Sequence, residues 1–526
     1  RKLPDVLEDV KFSDVSWLPD GSGVYYSRYP AADNASKLTE RNTFQKLYFH
    51  RMGTPQAQDR LVYERPEDGE KFVNGTVTDD GRYLVISVGR GTAPANMVYV
   101  QNLKSGSSPV EPVVDRLESE YRFLGNRGST LFFKTDSEAP RGRIVSVDVA
   151  RKPLAWKEVV GQSTETLESV GYVNAQWICA YLKDARSVVR VFDETGKPVR
   201  TLALPGIGSA SGFGGKRTDR QTYYSFSSFN TPSTVYRLDL KTGRSTVFQR
   251  PRVKMDVAGH VVKQVFFTSK DGTRVPMFVV HRKGLRLDGN NPVLLSGYGG
   301  FSVSMTPWFY VPWAAWVDMG GVFALPNLRG GAEYGEEWHL AGTKSRKQNV
   351  FDDFIAAAQY LIENRYTKPS RLAIAGDSNG GLLVGAVLNQ RPDLFGAALP
   401  GVGVMDMLRF HRFTIGSAWI SDYGSSDDPE EFKALYAYSP LHNIKPAGHY
   451  PAVMVNTADH DDRVVPAHSF KYAATLQKAQ AGPAPVLIRI ETRAGHGAGK
   501  PTAKQIEEWV DNFGFLFRSL GIRLAQ

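Results

Sequence analysis

The sequence predicts an α/β chain made of two parts that differ in secondary structure. Short runs rich in Val, Tyr, Phe and Thr fill residues 1–255, where helical periodicity is nearly absent. After residue 255, apolar strand-like runs alternate with amphipathic helices. A chain of 526 residues with 42% hydrophobic side chains is long enough to bury two large cores. We therefore predict an all-β domain at residues 1–255 and an α/β domain at residues 256–526.

Turn signals recur loosely along the β-rich part, at intervals of roughly 50–60 residues. Asp20-Gly21 precedes the strand-like run 24–27, and Asp80-Gly81 precedes the run 83–87 in the same way. Glycine supplies the positive φ that such hairpin turns require. This interval fits one four-stranded sheet per unit, which favours a β-propeller over an array of sandwiches. The length of this part allows about five blades.

The second part reads as a mostly parallel sheet covered on both faces. A hairpin pattern surrounds Lys270-Asp271-Gly272. Buried strand-like runs follow at residues 293–295, 322–325, 372–375, 453–455 and 486–488. Amphipathic helices are predicted between them, and a last helix has an expected buried face made of Ile506, Trp509, Val510, Phe513, Phe517 and Leu520. Strands that alternate with helices are typical of such a layered sheet.

Composition excludes several classes of function. The net charge of +10 is spread over both halves, without the basic stripe that nucleic-acid binding requires. The longest apolar stretch, residues 311–326, contains Asp318 and is too short to cross a bilayer. The single cysteine, Cys179, excludes a disulfide-stapled scaffold; this favours a cytoplasmic location and leaves a bacterial periplasm open. Since no P-loop, dinucleotide fingerprint or metal-ligand cluster occurs, we expect a protein that needs no cofactor. We also expect a monomer.

The strongest motif is Gly376-Asp377-Ser378-Asn379-Gly380, a G-x-S-x-G run. It follows a buried strand directly and precedes a helix, as a nucleophile elbow requires. The flanking glycines allow a tight turn that presents Ser378 in a strained conformation, and the helix N-terminus favours developing negative charge. The pattern therefore predicts a nucleophilic serine.

A serine nucleophile needs a base and an orienting acid, which in this fold follow in the order Ser, acid, His. A late strand runs into Asp459-His460-Asp461-Asp462-Arg463, which supplies candidates for the acid. Of ten histidines, only His496 lies in a glycine-flanked loop after a late strand. The acidic run could also be interpreted as metal ligands, but it has no partner cluster at metal spacing.

These motifs together resemble the prolyl oligopeptidase family of serine peptidases, which cleave after proline. The resemblance covers essentially the whole chain and is densest after residue 260. It rests on five separated runs in order, at residues 296–301, 327–331, 376–383, 458–465 and 494–500. Members of the family pair an α/β-hydrolase domain with a seven-bladed β-propeller that caps the active site.

The resemblance implies a role for each candidate catalytic residue. Ser378 is the nucleophile, and His496 is its base and later the acid that protonates the leaving amine. Asp461 is the orienting carboxylate. The oxyanion hole combines the backbone N–H of Asn379 with the hydroxyl of Tyr298.

The resemblance also implies a specificity pocket for proline. Trp419 stacks on the proline ring, and Arg463 holds a carbonyl of the substrate. The rest of the apolar wall comprises Phe301, Val404, Tyr423 and Val464. Each assignment has a plainer alternative, since Trp419 could be a core residue and Arg463 could form an ion pair with Asp462.

Two features depart from the family pattern. Asp377 stands where glycine is common, which alters the electrostatics beside Ser378. The chain also starts inside the propeller, so we expect a sequence that is incomplete at its N-terminus or one piece of a nicked protein.

The predicted activity is that of a serine endopeptidase that hydrolyses short proline-containing peptides through an acyl-enzyme. The alternatives are an oligopeptidase that cuts after Lys or Arg, a dipeptidyl or acylaminoacyl peptidase, an esterase of the same fold, and an inactive propeller scaffold that binds partners. Carboxylates in the pocket would favour the first of these, but the matched positions are aromatic and aliphatic.

Overall fold

The part of the chain that the structure describes forms five four-stranded antiparallel sheets followed by one eight-stranded sheet. The structure is a computed structural model, and it describes residues 3–30, 42–105, 108–497 and 499–523. The five small sheets form a blade-like part, and the large sheet belongs to an α/β part. The last strand of the fifth small sheet ends at Gln249, and the first strand of the large sheet begins at His260.

Each small sheet pairs four strands in chain order, which is the arrangement of a propeller blade. The first three sheets comprise β1 (Val15–Trp17), β2 (Gly23–Arg28), β3 (Lys46–Arg51), β4 (Arg60–Tyr63); β5 (Lys71–Val77), β6 (Tyr83–Arg90), β7 (Asn96–Asn102), β8 (Val110–Val114); and β9 (Tyr121–Arg127), β10 (Thr130–Thr135), β11 (Arg143–Asp148), β12 (Trp156–Val160). The other two comprise β13 (Thr166–Val173), β14 (Gln176–Lys183), β15 (Arg186–Asp193), β16 (Pro198–Thr201); and β17 (Ser209–Gly214), β18 (Gln221–Ser228), β19 (Thr231–Asp239), β20 (Ser245–Gln249). The predicted number of blades agrees with the structure.

The large sheet has the order β21-β22-β24-β23-β25-β26-β27-β28. Its strands are β21 (His260–Thr268), β22 (Arg274–Arg282), β23 (Val293–Ser296), β24 (Val322–Pro326), β25 (Leu372–Asp377), β26 (Ala397–Gly401), β27 (Ala452–Ala458) and β28 (Val486–Glu491). The β21–β22 hairpin turns at Gly272, as predicted, and β22 pairs antiparallel with β24. All other pairings in the sheet are parallel, so the ends of β25, β27 and β28 lie along one edge.

Helices cover both faces of the large sheet. They are α1 (Val311–Asp318), α2 (Glu336–Leu340), α3 (Gln348–Glu363), α4 (Asn379–Gln390), α5 (Ile420–Tyr423), α6 (Pro429–Tyr438), α7 (Ala467–Ala479) and α8 (Thr502–Ser519). One buried cluster contains residues of α3, α4 and α7, and a second contains residues of α1 and α8. Among the residues described, none of these helices combines the length and apolar composition that crossing a bilayer requires.

The expected buried face of the last helix is partly wrong. Ile506 and Val510 are 59% and 63% exposed, whereas Leu516, which was not predicted, is fully buried. The helical period identifies one apolar face, but the sheet covers only the later turns of α8.

Hydrogen bonds join loops of the propeller to the α/β part. The Thr92 N–H donates to the Ala418 carbonyl at 2.9 Å, next to Trp419. The Tyr334 hydroxyl donates to Asp184 at 2.9 Å. These bonds hold propeller loops against the segments that carry the candidate site.

Candidate active site

Ser378 lies at a strained turn between β25 and α4. Its φ of 60° and ψ of −117° are unusual for a residue with a side chain. The turn is so tight that a Cβ on Gly376 would lie 2.5 Å from the Gly380 carbonyl oxygen, so a residue with a side chain would not fit there. The Ser378 N–H donates to the Gly401 carbonyl at 2.9 Å, which fixes the turn to the neighbouring strand. The geometry is that of a nucleophile elbow, with the serine at the carboxyl edge of the sheet.

Asp461 and His496 are brought together from the loops after β27 and β28. Nδ1 of His496 lies 2.7 Å from Oδ2 of Asp461, a fully buried carboxylate. The other oxygen, Oδ1, accepts the N–H groups of Arg463 at 3.0 Å and Val464 at 2.9 Å. These bonds orient the carboxylate toward the imidazole, and Asp461 is the member of the acidic run that contacts His496.

Ser378 and His496 line one cavity of about 400 Å³, together with Asp377 and Trp509. Among the described residues, the structure gives no hydrogen bond between the imidazole and the serine hydroxyl. Such bonds are often long in a free enzyme and tighten when substrate binds.

Tyr298 and Asn379 lie beside the serine on different segments. Burial raises the pKa of the Tyr298 phenol to about 12, and the charge of Asp422 adds to this, while Arg463 and the Ser378 hydroxyl lower it. The phenol therefore stays protonated at neutral pH and is available as a donor. Asn379 is the first residue of α4, where the backbone N–H has no partner within the helix.

A second cavity of about 510 Å³ joins Ser378 to an apolar wall. Seven of the predicted residues line it: Tyr298, Phe301, Ser378, Val404, Trp419, Tyr423 and Arg463. Phe301 meets Tyr423 edge to face with ring centroids 5.2 Å apart. No Asp or Glu is among the described lining residues, so the wall is uncharged apart from Arg463.

Trp419 is partly buried and has a place both in the core and at the cavity. Its ring stacks on Phe410 at a centroid distance of 6.2 Å and an interplanar angle of 15°. The same side chain packs against a buried cluster and also lines the cavity with Ser378.

Arg463 and Val464 are neighbours in the chain, but only Arg463 is among the described residues that line the cavity. Asp462 pairs with Lys11 of the propeller at 3.0 Å, and among the described residues no ion pair joins it to Arg463. Arg463 instead lines the cavity. Val464 is buried, is not part of the described lining, and contributes its backbone N–H to Asp461.

The alternative of a metal site at the acidic run has no support in the geometry. Asp459 contacts His460 at 2.6 Å, which lowers the pKa of that carboxyl to about 2. Within the part of the chain that the structure describes, no group of three or more His, Cys, Asp or Glu side chains is arranged to hold a metal ion.

Profiles of known protein families match both parts of the chain. The profile described as the N-terminal β-propeller domain of prolyl oligopeptidase matches residues 1–251. The profile of the prolyl oligopeptidase family matches residues 307–523.

The chain belongs to the prolyl oligopeptidase family. The predicted family and its two-part fold are therefore confirmed, and the chain is a serine-type peptidase.

Alignments with similar proteins cover nearly the whole of this chain. It is 46% identical to a prolyl endopeptidase of Elizabethkingia miricola, an alignment that covers 99% of the chain and 74% of the relative. A solved structure from a mechanistic study of two prolyl endopeptidases has a TM-score of 0.94 at 44% identity, and it covers 99% of this chain and 76% of the other. Prolyl oligopeptidase B from Galerina marginata, bound to a 35-residue substrate, has a TM-score of 0.95 at 35% identity, covering 99% and 74%.

Asp377 directly precedes the candidate nucleophile, Ser378. Its carboxyl lines the cavity that also contains Ser378 and His496. Removal from water raises the pKa of this carboxyl, the charge of Glu508 adds to the shift, and His496 and Lys500 oppose it.

Several residues near Ser378 were not predicted from the sequence. On the propeller side, the 510 Å³ cavity is also lined by Phe12, Phe72, Asn74, Gly91 and Thr92. Phe72 and Asn74 lie in β5, Gly91 and Thr92 in the turn after β6, and Phe12 before β1, so no local signal distinguishes them. Lys347 was also missed, although it donates to the side chain of Asn379.

Proposed function

We propose that this chain is an endopeptidase that hydrolyses short peptides on the C-terminal side of proline. The observation that carries the proposal is the 510 Å³ cavity, which places Ser378 beside an uncharged wall of aromatic and aliphatic side chains. A pyrrolidine ring has no charge and no N–H, so shape and aromatic contact must select it. We further propose that residues 1–255 and 256–526 act as two domains of a monomer.

In the proposed mechanism, Ser378 attacks the carbonyl carbon of the proline residue. Its proton passes to Nε2 of His496, while Asp461 holds the Nδ1–H and stabilises the imidazolium. The tetrahedral intermediate collapses, and His496 returns the proton to the leaving amine. Water, deprotonated by His496, then attacks the acyl-enzyme ester and releases a peptide that ends in proline.

The developing oxyanion is stabilised by the Asn379 N–H and the Tyr298 hydroxyl. Two fixed donors in a site shielded from water bind the negative oxygen more strongly than the neutral carbonyl. The raised pKa of Tyr298, about 12, keeps the phenol in its donating form across the neutral range.

Tyr298→Phe is expected to lower kcat by about two orders of magnitude, because it removes one oxyanion donor and leaves the ring in place. KM should change little, since the ground-state carbonyl needs the donor less than the oxyanion does. Steady-state kinetics on a proline-containing peptide amide check this, with a melting curve to verify folding. Unchanged kinetics would remove Tyr298 from the mechanism.

The proposed proline subsite is the wall formed by Trp419, Phe301, Tyr423 and Val404. We assign the buried Val464 to its support. Arg463 is the one cation of the described lining, and we assign it to a carbonyl of the bound peptide. A subsite for Lys or Arg would need a carboxylate at this wall. The nearby Asp422 is 1% exposed, and its oxygens accept the Phe301 N–H and contact His339.

Propeller residues such as Phe72 and Thr92 line the cavity together with Trp419 and so help to cover it. We propose that this cover limits access to short peptides, and that opening between the domains admits them.

A cleavage panel in which only the residue before the scissile bond varies tests the proline specificity. The value of kcat/KM for proline should exceed that for alanine by about 100-fold, and lysine should not be accepted. Trp419→Ala should lower the value for proline about tenfold or more and the value for alanine much less.

Trp17→Ala is a matched control for Trp419→Ala, since Trp17 is 50% exposed in β1 and lines neither cavity. Equal losses for proline and alanine in Trp419→Ala would remove that indole from the subsite. A preference for lysine would support the alternative oligopeptidase, and hydrolysis of simple esters alone would support the esterase.

A further inference from the structure

Lys347 is a buried cation that the proposed mechanism does not use. Its side chain lies just before α3 and is 1% exposed. Among the described residues, no carboxylate comes within ion-pair distance of its Nζ. Burying an ammonium group without a paired carboxylate is destabilising in general, so a position of this kind needs a reason.

Lys347 is connected by hydrogen bonds to the two residues that carry the proposed oxyanion donors, Tyr298 and Asn379. Nζ donates to the Gly299 carbonyl at 2.8 Å and to Oδ1 of Asn379 at 3.2 Å. Nδ2 of Asn379 donates to the Tyr298 carbonyl at 2.5 Å. Two successive carbonyls, those of Tyr298 and Gly299, are thus held by a network that has Lys347 at its centre.

The same network reaches the proposed proline subsite. Oδ1 of Asn379 also accepts the Tyr423 hydroxyl at 2.8 Å, and Nζ of Lys347 lies 5.3 Å from the centroid of the Tyr423 ring. Tyr423 is fully buried and meets Phe301 edge to face. One ammonium therefore links the loop of Tyr298, the first residue of α4 and the aromatic wall.

We propose that Lys347 is a positioning residue that holds the Tyr298 hydroxyl and the Asn379 N–H at the correct separation for the oxyanion. This inference rests on the proposed function, because it assumes that these two groups form the oxyanion hole. Misplacing a catalytic group by about 1 Å can cost 100-fold in rate. Burial lowers the pKa of Lys347 to about 8, and Asp422 opposes the shift, so the ammonium form predominates at pH 7.

The main test is Lys347→Met, which keeps the length of the side chain and removes its donors and charge. We expect kcat for a proline-containing peptide amide to fall about tenfold to 100-fold, with KM within about threefold of the parent. Ser378 adds to the carbonyl carbon of a peptide aldehyde that ends in prolinal. The former carbonyl oxygen of this adduct then lies in the oxyanion hole. The inhibition constant of the aldehyde should rise by the same factor as kcat/KM falls, whereas that of a product peptide ending in proline should not change.

Lys344→Met is the matched control. Lys344 lies one turn earlier, has a 47% exposed side chain and pairs with Glu431 on the surface at 2.9 Å. Its kinetics should equal those of the parent. A double-mutant cycle with Asn379→Ala adds a second criterion: Lys347→Met should cost less in kcat once Asn379 has lost its amide, because one of the two hydrogen bonds of Nζ ends on that amide.

Three results would overturn the inference: a kcat in Lys347→Met equal to that of the parent, equal weakening of the aldehyde and the product peptide, and full additivity with Asn379→Ala. If Lys347→Met fails to fold in a melting experiment, Lys347→Gln, which keeps one donor, is judged by the same criteria. Tyr298→Phe separates the two proposals. If that variant lowers kcat and Lys347→Met does not, only the role of Lys347 fails; if Tyr298→Phe has no effect, the oxyanion hole itself fails.

Discussion

Ser378→Ala is expected to lower kcat by about 10⁴-fold or more, the largest effect that we predict for any single substitution in this chain. The hydroxyl is the only group at the elbow that can form the acyl-enzyme, and alanine keeps the positive φ of 60° no worse than serine does. The fold should therefore survive, and the remaining rate should come from substrate binding and the oxyanion donors alone. The measurement is single-turnover hydrolysis of a proline-containing peptide amide, since the residual rate is too slow for steady-state assays.

Labelling with a serine-directed phosphonate gives an independent result for Ser378. The parent should take up one phosphonate per chain, and Ser378→Ala should take up none. Ser425→Ala, in the same domain and outside both described cavities, serves as control and should label fully. A labelled, active Ser378→Ala variant would transfer the nucleophile to another residue, and an unlabelled, inactive parent would support the scaffold alternative.

Much of the fold could be predicted because its signals are local. Asp80-Gly81 predicts a turn by itself, and the run after it is β6. The apolar run 372–375 followed by G-x-S-x-G predicts β25, the elbow and the start of α4 within a dozen residues. By contrast, the exposure of Ile506 and Val510 depends on how far the sheet extends under α8, and the periodicity of the helix carries no information about that distance.

The candidate site divides in the same way. His496 and the acidic run that contains Asp461 could be found because the loops after late parallel strands meet at one sheet edge, whereas the choice of Asp461 within that run came from the family resemblance. Thr92 could not, because its place at the cavity follows from the packing of a blade turn against Ala418, more than 300 residues later in the chain. Lys347 has no motif of its own, and lysine is almost always a surface residue, so its burial is visible only once α3, α4 and the Tyr298 loop are assembled.

Asp461→Asn is the second substitution for which we expect a very large loss, about 10⁴-fold in kcat at neutral pH. Oδ2 of the carboxylate accepts a hydrogen bond from the Nδ1–H of His496, and Oδ1 accepts hydrogen bonds from two backbone N–H groups. In asparagine, the carbonyl oxygen can keep the backbone bonds, so the amide must turn its NH₂ toward Nδ1. The imidazole then carries its proton on Nε2, and it cannot accept the proton of Ser378. Folding should be nearly unaffected, because the replacement has the same size and satisfies the same backbone donors.

Two neighbours in the acidic run make sharp controls for Asp461→Asn, since all three carboxylates lie within four residues. Asp459→Asn removes an exposed contact to His460, and Asp462→Asn removes a half-exposed ion pair with Lys11. Both should keep kcat within about twofold of the parent, because exposed pairs of this kind contribute little. A large loss in Asp462→Asn together with a small one in Asp461→Asn would show that the orienting carboxylate is the wrong member of the run. The geometry predicts the reverse, because only Asp461 is fully buried, bonded twice to the backbone and 2.7 Å from the imidazole.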